Sequence, residues 1–218
     1  MKFTLTYDGP LPASANKPKN QAKWDIRQAL HPQLVDLWSS HPALQELENN
    51  RHYPKRGGAT LTQVHHLHPG PITNHPRILN SVPGEIELLD LCEPLNKHEA
   101  WFKPLVRESY ALHCGLKITF LRQEPPGKVY QAGDLDGRMK TLLDALAMPQ
   151  HKEQILGKST KFNPIFCLLE DDALVSGLQI ESERLLTDKS NPPDHVRLNI
   201  EVDVRVRQAM IYNQSFLG

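Results

Sequence analysis

Much of the usual functional vocabulary is missing from this chain of 218 residues. No apolar run reaches about 18 residues, so no membrane-spanning helix is expected. The opening MKFTLTYDGP has no long apolar core of the kind a signal peptide carries, and a soluble cytoplasmic protein is the expectation. Cysteines number three, an odd count without a C-x-x-C pair, which argues against a disulfide framework and for reduced, mostly buried thiols. Net charge is also missing: 25 Lys plus Arg stand against 25 Asp plus Glu. Tight nucleic-acid binders usually show a basic excess. A zero sum counts against a purely basic binding surface, although an acidic catalytic centre lowers the sum as well. G-x-S-x-G, Walker-type and Rossmann glycine patterns are absent, and so are repeats and low-complexity segments.

What remains is an ordinary globular composition, 39% hydrophobic and 23% charged, in a chain long enough to bury a core. Phe3, Leu5 and Tyr7 alternate with polar residues as in a half-buried strand. Trp24, Leu30, Leu34, Leu37 and Trp38 recur at helical spacing between Lys23 and Ser39. Pro32 predicts an interruption there, or the opening of a second helix. Residues 40–105 read as an irregular insertion rich in proline and histidine, with one short strand over Ala59–Leu67. Glu85–Leu91 reads as either a strand or a short helix. Regular structure is expected to resume after residue 105. Leu112, Cys114, Leu116, Ile118 and Phe120 alternate with His113, Gly115, Lys117 and Thr119, which predicts a strand. Met139, Leu142, Leu143 and Leu146 form the apolar stripe of a helix over Arg138–Ala147. Pro164–Leu169 predicts a buried strand. A further strand follows with Leu178 and Ile180 inward, and the last places Val196, Leu198, Ile200, Val202, Val204 and Val206 on one face. The pattern predicts a single α+β domain over 1–218, with a mixed or mostly antiparallel sheet covered by helices on one face.

Two acidic stretches stand out. In GDLDGRMKTLLDAL, Asp134 and Asp136 are one residue apart just before a helix, and Asp136, Lys140 and Asp144 follow at i, i+4, i+8 along one flank of it. In LLEDDAL, an apolar strand runs straight into Glu170, Asp171 and Asp172. Each has an ordinary explanation: aspartate is a favoured helix N-cap, and acids suit a polar turn. If the two stretches met, however, they would gather several carboxylates and a lysine. That set suits metal-assisted phosphodiester hydrolysis, in which metal ions activate water and offset phosphate charge. The basic group Lys17, Lys19, Lys23 and Arg27 is either a solvated surface or a phosphate-binding one. His65, His66 and His68, with His52 and His75 nearby, could ligate zinc, but no cysteine or H-E-x-x-H pattern accompanies them.

These residues resemble the RusA-type crossover-junction endodeoxyribonucleases (Holliday junction resolvases). That family carries a D-x-D-N-x-x-K segment opening a helix, then a D-D pair in a strand-turn context. DLDGRMKTLLDAL and LLEDDALVSGLQI resemble the two parts, and FTLTYDGPLPASANK and VRLNIEVDVRVR resemble its first and last strands. Gly137 stands where the family has asparagine. The resemblance implies a RusA-like fold and a homodimer that nicks branched DNA. It also implies Mg²⁺, with Mn²⁺ able to substitute, bound by Asp134, Asp136 and Asp172 with help from Asp171. Lys140 would contact phosphate as the fourth catalytic group, and Lys17, Lys19, Lys23 and Arg138 would touch DNA. The alternative is a non-catalytic nucleic-acid-binding or regulatory module on the same scaffold.

Overall fold

The computed structural model describes residues 1–13, 19–54, 88–123, 135–156, 163–186, 192 and 194–217. Asp134, Lys17, the strand expected over Ala59–Leu67, and His65, His66, His68 and His75 lie outside the described residues. Among those described, three α-helices combine with two mixed sheets and a small antiparallel pair, an α+β arrangement.

The main sheet orders its strands β1 (Lys2–Pro10), β9 (His195–Val206), β6 (Leu112–Arg122) and β8 (Val175–Arg184). β1 and β6 run antiparallel to β9, whereas β6 and β8 are parallel. The period-2 pattern explains this sheet directly. Leu112, Cys114, Leu116, Ile118 and Phe120 of β6 are buried, and so are Val196, Leu198, Ile200, Val202 and Val204 of β9. On the other face, Thr4, Thr6, Arg197, Asn199, Glu201 and Arg205 are exposed. One face is therefore core and the other faces water, as antiparallel sheets allow.

Helices cover the inner face. α1 (Lys19–Ser40) runs unbroken through Pro32 for 22 residues. A proline inside a helix costs about 3 kcal/mol. Here its ring lies on the exposed side, and burial of Trp24, Ile26, Leu30, Leu34 and Trp38 offsets that cost. Gln33 of α1 also reaches β1: its side-chain amide donates to Thr6 O at 2.8 Å and accepts from Thr6 N–H at 2.9 Å. That pairing occupies backbone groups at the β1 edge, which a free strand edge would offer to another chain.

The described parts of the segment expected to be an irregular insertion carry regular elements. α2 (Pro42–Asn49) buries Ala43, Leu44 and Leu47. β2 (His52–Pro54) pairs with β3 (Leu88–Asp90), so the second half of Glu85–Leu91 is strand. β4 (Leu95–Lys97), β5 (Ala100–Val106) and β7 (Ile165–Leu169) form the second sheet with β5 in its centre. β5 lies almost wholly within the segment expected to be an irregular insertion. Lys103 is nevertheless buried, because its ammonium pairs with Glu48 and sits 4.1 Å from the centre of the Trp38 ring. α3 (Leu135–Leu146) begins three residues earlier than the sequence suggested, belongs to the connection between the parallel strands β6 and β8, and shares a cleft with Leu178 and Ile180 of β8.

Candidate functional site

The first acidic stretch is the opening turn of α3. Asp136 sits there exposed, where the positive end of the helix dipole favours a carboxylate. Lys140 follows one turn on, also exposed, and Asp144 is half-buried in the last turn. At about 1.5 Å of rise per residue, the eight-residue step from Asp136 to Asp144 places their Cα atoms about 12 Å apart.

The second stretch separates into three roles. Glu170 accepts the Glu108 backbone N–H at 2.9 Å and belongs to the scaffold. Asp171 caps the 3₁₀ turn Asp172–Leu174: one oxygen accepts the Ala173 N–H at 2.9 Å and the other accepts Gln150 Nε2 at 2.9 Å. The Ala173 N–H is the main reason its carboxyl is held below the ordinary range. Each oxygen of Asp171 thus already accepts one hydrogen bond within the scaffold. Asp172 is left exposed.

The backbone brings the two stretches together. The chain leaving α3 bridges β7 in parallel fashion at Ala147 and Leu169, and Met148 N–H donates to Leu169 O at 3.0 Å. The end of α3 is thereby pinned beside the end of β7, three residues before Asp172. A cleft of about 450 Å³ opens there between α3 and β8. Leu135, Met139, Leu143, Leu178 and Ile180 line it, together with Asp136, Lys140, Asp144 and Asp172. Leu178 was expected inward. It does point to the inner face, beside Leu116, yet it is 45% exposed. β8 is the edge strand, so Leu178 borders the open cleft. The Asp172 carboxyl is held above the ordinary carboxylate range, first by partial burial, then by a hydrogen bond to the Asp171 carboxyl, and then by the charges of Asp171 and Asp144. Like charges therefore converge at this end of the cleft.

Two of the expected DNA contacts are elsewhere. Lys23 is 4% exposed, and its Nζ donates to Asp144 Oδ2 at 2.5 Å. Arg138 is 5% exposed and sits inside the protein. Neither cation is available to a phosphate. Lys19 opens α1. Arg27, two turns into α1, belongs to the basic group read as solvated or phosphate-binding, yet it is buried. It donates to Asp144 O at 2.5 Å and Ala147 O at 3.1 Å, capping the last carbonyls of α3. Burial first lowers its pKa to about 10, which still leaves it charged at neutral pH. The signal for both was present in the sequence: Lys23, Arg27, Leu30 and Leu34 share one helical stripe, and the stripe is buried.

A larger depression of about 730 Å³ crosses the outer face of the main sheet at Gly115 and Gly177. Its charges already pair with one another, Arg205 with Asp203 at 2.7 Å and Lys117 with Glu181 and Glu201 at 3.7 Å. The smaller cleft holds the less compensated chemistry. Among the described residues, no three His, Cys, Asp or Glu side chains group closely enough to hold a metal ion. Mg²⁺ does not need such a cage. It typically keeps several waters and takes one or two carboxylates plus substrate phosphate. Asp136 and Asp172 are carboxylates, the hard oxygen donors such an ion takes, and both line the cleft, whereas His52 lies exposed on β2. The three cysteines are free and buried, with burial pushing Cys92 up to about 11 and Cys167 up to about 12, so they remain protonated and unreactive.

No protein-family model, no curated protein and no solved structure matches this chain. Among the described residues no helix is long and apolar enough to cross a membrane.

Proposed function

We propose that the cleft between α3 and β8 is the centre of a Mg²⁺-dependent endonuclease that acts on branched or structured DNA in the cytoplasm. One observation carries this reading: Asp136, Lys140 and Asp172, singled out in two separate stretches of sequence, line a single cleft. Bound Mg²⁺ would supply activation of water and neutralisation of phosphate charge. Asp136 and Asp172 would hold it, with Asp134 preceding them. Lys140, exposed one turn from Asp136, would place a positive charge against the scissile phosphate as negative charge develops there. Two copies acting as a homodimer would make paired nicks in a two-fold symmetric junction, an arrangement drawn from the RusA resemblance.

The non-catalytic alternative has one observation in its favour, the lack of a three-ligand group among the described residues. A single experiment separates the two. Purified protein is incubated with a four-way junction, a flap and plain duplex, each with Mg²⁺ or with EDTA. Metal-dependent cleavage of a branched substrate is expected, and Asp136→Asn should lower it by more than about 100-fold, beyond the usual cost of an outer-shell change. Binding that survives EDTA, with no turnover on any substrate, would support the non-catalytic module. Equal cleavage by Asp136→Asn would remove the metal reading.

A further inference from the structure

The resemblance assigns no role to Asp144 and makes Lys23 a DNA contact. The geometry points to a different division of labour. Lys23 crosses from α1 to α3 with its side chain only 5% exposed, and it grips one oxygen of Asp144 at 2.5 Å. The other oxygen, Oδ1, accepts no hydrogen bond among the described residues, and Asp144 lines the cleft. A buried lysine that fixes one carboxylate oxygen leaves the second oriented and able to accept a hydrogen bond. Asp144 also lies about 12 Å along the helix from Asp136, too far for both to ligate one ion. It is pinned instead beside the end of β7 that carries Asp172.

We propose that Asp144 accepts a hydrogen bond from the attacking water and so aims it at the phosphodiester, and that Lys23 is the positioning residue that aims Asp144. This rests on the nuclease reading of the same cleft.

The test uses the full chain with four-way-junction DNA and Mn²⁺. Three quantities are measured separately: kcat at saturating Mn²⁺, the Mn²⁺ Kd by calorimetry without DNA, and the thermal unfolding midpoint. Asp144→Asn should lower kcat by about tenfold or more, the range for losing an orienting outer group, while the Mn²⁺ Kd stays within about threefold. Lys23→Met should reproduce the kcat loss, and Lys23→Arg, which preserves the grip, should restore most of it. Should Lys23→Met fold poorly, Asp144→Glu takes its place. That variant retains the charge and the ion pair but displaces the free oxygen, so kcat should fall at unchanged stability.

The inference is overturned if Asp144→Asn leaves kcat within about threefold of the parent, or if it weakens Mn²⁺ binding as severely as Asp136→Asn, which would make Asp144 a ligand. A parent protein that cleaves while Lys23→Met shifts only the unfolding midpoint overturns the role of Lys23 alone. A parent protein that neither binds Mn²⁺ nor cleaves overturns the nuclease reading and this inference together.

Discussion

Toward α1, helix α3 turns Asp144 and its last carbonyls to Lys23 and Arg27, and two buried cations find partners on one helix end. Toward β8, the same helix offers Asp136 and Lys140 to an open cleft where Asp172 faces the charge of Asp144. The α1 flank is what a stable fold needs: cations near a helix C-terminus, each with acceptors. The β8 flank is less settled: the helix dipole favours Asp136, but Asp172 is held against the charges of Asp171 and Asp144. Uncompensated charge held in place by a well-compensated neighbour is the arrangement expected of a site whose ligand supplies the missing charge.

The largest effect should come from breaking the stabilising flank. Arg27→Met keeps much of the buried stem but removes both donors to α3. Hydrogen bonds to charged groups are worth about 1.5–3 kcal/mol each, so a loss of about 3 kcal/mol is expected after partial relaxation. Urea unfolding followed by circular dichroism measures it. A loss below about 1 kcal/mol, that of a neutral hydrogen bond, would mean that α1 does not hold the end of α3.

The cleft flank should respond in the opposite sense. Lys140→Ala removes an exposed side chain, so stability should stay within about 0.5 kcal/mol. Cleavage should fall by about 100-fold, the lower end for losing one preorganised group that stabilises developing charge. A stability loss matching that of Arg27→Met, at unchanged cleavage, would erase the contrast between the two flanks.

How much of this contrast was readable in advance depended on the period of each element. β9 alternates apolar and polar residues from end to end and β6 does so from Leu112 to Phe120, so their faces could be assigned residue by residue; the pattern breaks at Leu121 and Arg122, where the arginine is the buried one. α3 has a clean apolar stripe, and its flank of Asp136, Lys140 and Asp144 came out as the wheel places it. The α1 flank was misread because charge suggested surface, whereas position on the stripe of Leu30 and Leu34 decided burial. β5 was missed for a related reason: Lys103 and Pro104 are poor strand residues, and only contacts with Glu48 and Trp38, distant in sequence, make a lysine tolerable there. The three acids after β7 were alike in sequence and differ in role because a cap, a scaffold bond and an open cleft are set by partners no local pattern encodes.

The smallest effect is also the most diagnostic of charge held against the fold's preference. The Asp172 carboxyl titrates above its ordinary value, so its folded pKa exceeds its unfolded one. Its stabilising contribution is therefore complete only below the ordinary carboxylate pKa of about 3.9, and it is lost as pH rises through the folded value. At pH 7 the ionised group is a net burden. Asp172→Asn should then raise stability at pH 7, but the group is exposed and screened, which limits the gain to about 0.5 kcal/mol, or about 1–2 °C in Tm for a chain of this size. Below about pH 3.5 parent and variant should converge, because both are neutral at this position. Melting curves taken at both pH values decide it. A variant less stable than the parent at pH 7 would mean that Asp172 is a structural carboxylate after all. The gain should also vanish when Mn²⁺ is added, since the ion would stabilise the parent more than the variant.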